Sequence, residues 1–332
     1  MPIVAHKIEL DPTPRQARAF QQAVGCARFA YNWALATWQA QYERGMKPNE
    51  GSIRKLLNEV KRGYFPWMLG APKSVAQQAV KNLGAGFDRF FKTLSKHPRK
   101  KKRGQHDSCR LDNGPGTFSF DGKVAHLPKY GRVKMREELR FKGRPLSCTL
   151  SKHAGRWFLS VSVEICASQG RTAPQFLAEI ASQNPNRDAA ENQSGQHVTG
   201  RVVGLDLGVK TAVVLSDGTT FDAPKPLKAA LKRLAKASRS MSRKVKGSTN
   251  RAKARERVAR IHYHVAEVRK DWTHKLTHWI AARYDLVLME NLNVRGMVKN
   301  HCLARAISDV GFYEIRRQLE YKTCVVTVGS FY

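Results

Sequence analysis

Two carboxylates stand in apolar surroundings, Asp206 in VVGLDLG and Glu290 in VLMENL. An acid on a buried strand is costly unless a metal or a cation compensates it. Acids from neighbouring strands can hold two divalent ions about 4 Å apart, the arrangement that cuts phosphodiesters in line. Mg²⁺ suits such a site because it needs few carboxylates and keeps waters and substrate oxygens. The competing reading has Asp206 capping the turn at Leu207-Gly208 and Glu290 at an exposed strand end. His274 and His278, four apart on a helix, are a weaker metal pair, since such histidines more often face phosphate or solvent. Asp217, Asp285 and Asp309 are other acids of the same part of the chain, and Asp309, on a helix, is a minor candidate to join the pair. The six cysteines (Cys26, Cys109, Cys148, Cys166, Cys302 and Cys324) form no C-x-x-C pair, so neither zinc nor a disulfide framework is expected. Reduced, mostly buried thiols are the reading.

The elements that must position these acids are legible around them. RVVGLDLG (201–208) reads as a buried strand, TAVVLSDG (211–218) as its hairpin partner and TTFDAP as a third short strand. Two basic helical segments, 226–246 and 250–283, follow; Val258, Ile261, Val265, Val268, Trp272 and Leu276 make a helical stripe in the second. DLVLME (285–290) is a strand, AISDVGFYEIRRQLEYK one helix and CVVTV (324–328) a closing strand. This is an α/β order with helices covering a sheet. Upstream, IVAHKIEL (3–10) reads as a strand, and Thr13, Pro14 and Gln16 as a helix start with a capping box. Phe20, Val24, Ala27, Tyr31, Leu35 and Trp38 form the buried face of that helix. Further helices are expected over Ser52–Val60 and Ser74–Leu94. From Cys109 to Glu164 short alternating runs read as a small antiparallel β module. The organisation expected is a first strand of that module (1–12), a helical region (13–96), the rest of the module (97–167), a polar linker (168–200, with a weak helical pattern at Phe176–Ile180) and an α/β domain (201–332) with a basic helical insertion at 225–283.

Lys and Arg number 59 against 26 acids, a net charge of +33. Such a chain repels itself unless a polyanion neutralises it, and phosphate backbones are the obvious partner. An anionic membrane is the alternative, but no apolar run reaches the roughly 20 residues of a spanning helix and no secretory signal opens the sequence, so a cytoplasmic location is expected. The positive charge clusters in PRKKKR (98–103) and in residues 225–260, which hold 14 Lys or Arg and one acid, Glu256. The residues assigned to nucleic-acid contact are Arg99, Lys100, Lys101, Lys102, Arg103, Lys210, Lys232, Arg233, Lys236, Arg239, Arg243, Lys244, Arg251, Lys253, Arg255 and Arg295.

Taken together these segments resemble the TnpB (OrfB) family of bacterial insertion sequences, related to type V CRISPR effectors. The resemblance runs through KIELDPTPRQARAFQQAVGCARFAYNWAL, HPRKKKRGQHDSCRL, LPKYGRVKM, RVVGLDLGVKTAVVLSDG, LVLMENLNVRGM and ARAISDVGFYEIRRQLEYK. It implies a helical recognition region inserted in a small β module, then a RuvC-type nuclease domain of ribonuclease-H-like fold with a mixed sheet. It implies Mg²⁺, a guide RNA from the element, a double-stranded DNA target and a monomer bound to RNA. By residue, Asp206 matches the first RuvC carboxylate and Glu290 the second. The family continues after a strand like VVTVGSFY with a zinc ribbon and a third catalytic aspartate, so two of three acids, no zinc and impaired cleavage are expected for a chain ending at Tyr332. The alternatives are a non-cleaving nucleic-acid-binding remnant or repressor, and a basic structural RNA-binding protein.

Overall fold

The computed structural model describes residues 3–112, 117–165, 190–191, 197–198 and 201–328, which fall in two compact units, Met1–Gly170 and Arg171–Tyr332. In the first, strand β1 (Ile3–Asp11) runs straight into helix α1 (Pro14–Glu43). The capping box forms: the Gln16 amide donates to Thr13 Oγ1 at 3.3 Å and the Thr13 amide to Gln16 Oε1 at 3.0 Å. The Gln16 side chain also donates to the carbonyls of Tyr130 and Arg132, which ties the helix start to the sheet. All six residues of the expected apolar face of α1 are buried. Helix α2 (Glu50–Tyr64), a 3₁₀ turn (Pro66–Gly70) and α3 (Lys73–Phe91) complete the helical layer, each helix starting or ending within a few residues of the expected bounds.

The β module is larger than the sequence signals. Strands β2 (Ser108–Asp112), β3 (Ser119–Asp121), β4 (Val124–Leu127), β5 (Gly131–Met135), β6 (Arg144–His153) and β7 (Arg156–Glu164) join β1 in a seven-stranded antiparallel sheet of order β2-β6-β7-β1-β5-β4-β3. The first strand thus sits near the middle, paired with β7 from Ile3↔Glu164 to Leu10↔Trp157. Helices and sheet share one core, in which Phe20 meets Tyr130 and Trp157 edge-on at 5.1 and 5.3 Å. Of the stretch read as a linker, two short paired strands, β8 (Ala190–Glu191) and β9 (His197–Val198), are described; the helical pattern at 176–180 lies outside the described residues.

The second unit is a mixed five-stranded sheet covered by helices. Strands β10 (Val202–Leu207), β11 (Val213–Leu215) and β12 (Thr220–Phe221) form an antiparallel meander, and β13 (Leu286–Glu290) and β14 (Cys324–Val328) extend it in parallel, in the order β12-β11-β10-β13-β14. Between β12 and β13 lie α4 (Pro226–Ser242) and α5 (Thr249–Ala281), packed together through Ala230, Ala237, Ile261 and Val265. After β13 come a single turn, α6 (Val294–Met297), and helices α7 (Ala304–Val310) and α8 (Phe312–Lys322). The sequence reading of one helix across AISDVGFYEIRRQLEYK is corrected here. Gly311 adopts a left-handed conformation (φ +84°), ends α7 and starts α8 in a new direction, and a Cβ on it would stand 3.4 Å from Arg269 Cδ.

Candidate active site and nucleic-acid interface

The sheet register brings the two carboxylates together. Strands β10 and β13 run parallel with Gly204 opposite Leu288 and Leu205 opposite Met289, so Asp206 and Glu290 are the next pair along. Leu205 and Met289 point into the core, which puts Asp206 and Glu290 on the other face of adjacent strands about 4.8 Å apart. Both side chains are exposed, so the sequence premise of buried acids is corrected: they stand at the carboxyl ends of their strands, where open α/β sheets bind ligands. The capping alternative for Asp206 is not realised either, for among the described residues its carboxylate accepts no hydrogen bond and forms no ion pair, and the same holds for Glu290. Two neighbouring carboxylates left unpaired in a chain with 59 cationic residues form a donor set that fits a divalent cation. Among the described residues no group of three His, Cys, Asp or Glu gathers around one point.

An open cleft of about 490 Å³ lies beside Glu290, walled by Leu207, Met289, Arg295, Phe312, Tyr313, Arg316, Arg317 and Glu320. Arg295 was anticipated. Arg316 and Arg317 were not, and the available signal was positional: α8 starts where β13 ends, so its first turns must border the cleft. Arg316 donates to Asn291 Oδ1 at 2.5 Å and to Glu320 at 2.8 Å. Arg317 makes two bonds to Glu314, and this pairing holds the Glu314 carboxyl down at about 2.

Asp309, considered as a third acid, is otherwise engaged. It is buried, its two carboxylate oxygens accept from the Leu227 and Lys228 amides at 3.0 Å each, and Arg269 donates to it at 3.0 Å. A carboxylate at the N-terminus of α4 with a guanidinium beside it is a structural joint between α4, α5 and α7. Asp217 accepts from the Tyr284 hydroxyl and Asp285 from the Arg201 amide. The histidine pair is no metal site: His274 Nδ1 faces the Lys322 ammonium at 3.5 Å, Lys322 also donates to Thr277 at 2.7 Å, and burial followed by the Lys322 charge lowers the His274 pKa. Cys26, Cys109 and Cys148 are buried thiols, the first two pushed by burial to about 11 and 12; Cys302 and Cys324 are exposed, and Cys166 lies outside the described residues.

The basic residues divide by what they touch. Arg233 and Lys236 of α4 face Arg257 and Arg260 of α5 across a groove of about 420 Å³, a pairing the sequence reading missed because it requires the two helices to lie side by side. Lys232, Arg239, Arg243, Lys253 and Arg255 are exposed on the same hairpin and Lys244 is half-buried; Lys210 is exposed near its base. Arg251 is corrected from a phosphate contact to a structural one, since its Nη1 donates to the carbonyls of Met241 and Lys244 at 3.1 and 2.7 Å and closes the end of α4. In the first unit Arg99, Lys100, Lys102 and Arg103 are exposed. Lys101 is pinned: Asn32 bonds both its amide and its carbonyl, at 2.8 and 2.9 Å, and its ammonium lies 4.3 Å from the centre of the Tyr31 ring.

With this geometry in place, the comparison with known proteins is direct. A family model described as a probable transposase, OrfB_IS605, matches residues 185–301, which contain both carboxylates and the whole basic hairpin. The chain is 33% identical to a putative RNA-guided DNA endonuclease of Streptomyces pristinaespiralis, over 96% of this chain and 74% of that protein. It is 30% identical to the putative RNA-guided DNA endonuclease InsQ of Escherichia coli K12, over 96% of this chain and 77% of that one. The chain belongs to the TnpB (OrfB) family. A second OrfB model, described as a helix-turn-helix domain, matches residues 1–47; in this member of the family those residues form β1 and the single helix α1, and α2 begins only at Glu50. Among solved structures the chain is similar to a protein in a CRISPR-Cas12f ternary complex, at 11% identity and a TM-score of 0.35 over 96% of this chain and 72% of that one.

Proposed function

We propose that this TnpB-family chain is an RNA-guided, DNA-binding protein of the RuvC nuclease type, with Asp206 and Glu290 as its metal-binding carboxylates. The observation that carries the reading is the in-register placement of these two unpaired acids on one face of adjacent parallel strands, beside a cleft rimmed by Arg295, Arg316 and Arg317. Mg²⁺ held there supplies the charge that makes a phosphodiester susceptible to in-line attack. The three arginines orient the phosphate, and the exposed strand ends leave the scissile bond room to approach. The groove between α4 and α5, together with Arg99, Lys100, Lys102 and Arg103, holds the backbone of guide RNA and target DNA. The names of the relatives support the same assignment of partners. In domain terms, residues 13–96 serve as a recognition region set into the β module, 168–200 as a linker and 201–332 as the nuclease domain, acting as a monomer on its RNA.

Cutting by residues 1–332 is proposed to be weak, because Asp309 is committed to Arg269 and the start of α4 and cannot complete the metal site. Single electrostatic groups in such sites are worth about 10² to 10³ in rate. The test is plasmid cleavage with the RNA transcribed from the encoding element, with and without Mg²⁺, beside Asp206→Ala. Retained RNA binding with slow, Mg²⁺-dependent nicking that disappears in the variant supports the reading. Robust cutting lost in the variant overturns the weak-cutting part, and cutting that survives Asp206→Ala overturns the site.

A further inference from the structure

One cleft of the first unit combines aromatic rings with cations. It holds about 690 Å³ against one side of α1, between Phe29 and Trp33 of that helix and Trp67 of the 3₁₀ turn, with Arg28 and Lys100 at its margins. The rings are braced by one another: Phe29 meets Phe65 and Trp67 edge-on at 4.8 and 5.1 Å, and Trp67 keeps 44% of its surface exposed. Arg28 is held from one end by Asp107, through Nη1 at 3.3 Å. The wall of the cleft contains a glycine that packing does not require. Gly25 sits in the interior of a 30-residue helix, where glycine is unfavourable relative to alanine, and a Cβ built on it would meet nothing nearer than Arg28 Nη2 at 3.9 Å. Its missing side chain keeps the cleft open down to the helix backbone.

We propose that this cleft is a pocket for an unstacked base of single-stranded RNA, with the base against Trp67 and Phe29 and the adjoining phosphate between Arg28 and Lys100. Braced rings with exposed faces give stacking area at little entropic cost, and flanking cations fix the backbone. Single-stranded RNA is the occupant because folded RNA presents loops and bulges with splayed bases, whereas duplex DNA arrives with its bases stacked. The inference rests on the nucleic-acid reading above and adds a specific site to it.

The test is tryptophan fluorescence and binding of the full chain with an unstructured RNA oligonucleotide, with the same RNA carrying abasic positions and with duplex DNA. Trp67→Ala is expected to weaken RNA binding about tenfold or more. Gly25→Ala is the discriminating variant, since it is expected to raise the melting temperature while weakening RNA binding, a combination that a structural role for Gly25 would not give. Wild-type affinity in both variants, or abasic RNA binding as tightly as intact RNA, overturns the pocket while leaving phosphate binding elsewhere intact. Loss of all RNA binding by the wild-type chain overturns the pocket and the nucleic-acid reading together.

Discussion

At the scale of single residues, the acids that look alike in the sequence do three different jobs. Asp206 and Glu290 are exposed and unpaired among the described residues, Asp309 is a buried joint, and Glu314 is the ion-pair partner of Arg317. Removing Asp309 strands Arg269 and two amides, so Asp309→Ala is expected to destabilise the chain by about 3 kcal/mol in urea unfolding, whereas a metal ligand would lose cutting with its stability intact. Glu314 gives a pH signature. Its carboxyl sits at about 2 in the fold against an ordinary 4.5, so its contribution is complete above pH 4.5 and is lost as pH falls toward 2. The melting-temperature gap between wild type and Glu314→Gln is therefore expected to be constant near neutrality and to close over that acid window; a gap that persists at pH 2 would assign the effect to packing. The carboxylate pair was legible because strand alternation places residues one step beyond Leu205 and Met289 on the opposite face. The fate of Asp309 was not, since its partners lie 40 and more positions away in sequence.

At the scale of elements, α4 and α5 bring together cations that the chain separates. Neutralising Arg233, Lys236, Arg257 or Arg260 is expected to lower the slope of log affinity against log salt by about one each, if each meets a phosphate. Arg251→Ala is expected to leave that slope unchanged and to cost about 1 kcal/mol of stability through the freed carbonyls of Met241 and Lys244. A slope change in Arg251→Ala, measured by filter binding across a salt series, would return that residue to the interface. The helices themselves were readable from the stripe running from Val258 to Leu276, and α1 from its capping box. The break at Gly311 was not, because apolar spacing continues on both sides of it, and the left-handed φ of +84° that glycine accepts there emerges only in the fold. Lys101 shows the same limit: inside PRKKKR it is indistinguishable from its neighbours until Asn32 is brought alongside its backbone.

At the scale of the whole molecule, 59 basic against 26 acidic residues make association with nucleic acid strongly dependent on ionic strength. If six or more phosphates are engaged, affinity for guide RNA is expected to fall by about 10³-fold between 50 and 200 mM salt, and a flat profile would sink the assignment of the basic surfaces. A different consequence follows from the place of β1 in its sheet. The strand is made first but pairs with a segment roughly 160 residues further on, a non-local closure of the kind that slows folding. At ribosomal speeds of roughly 5–20 residues per second, it waits on the order of ten to thirty seconds for β7. Helix α1, started by its own local cap, can form during that interval, but most amides and carbonyls of β1 stay unpaired, since β5, which emerges earlier, meets only Leu10 and Asp11. The nascent chain thus carries an open strand edge through most of the synthesis of its first unit, and its yield is set by how well that edge is kept from other chains until Glu164 has emerged.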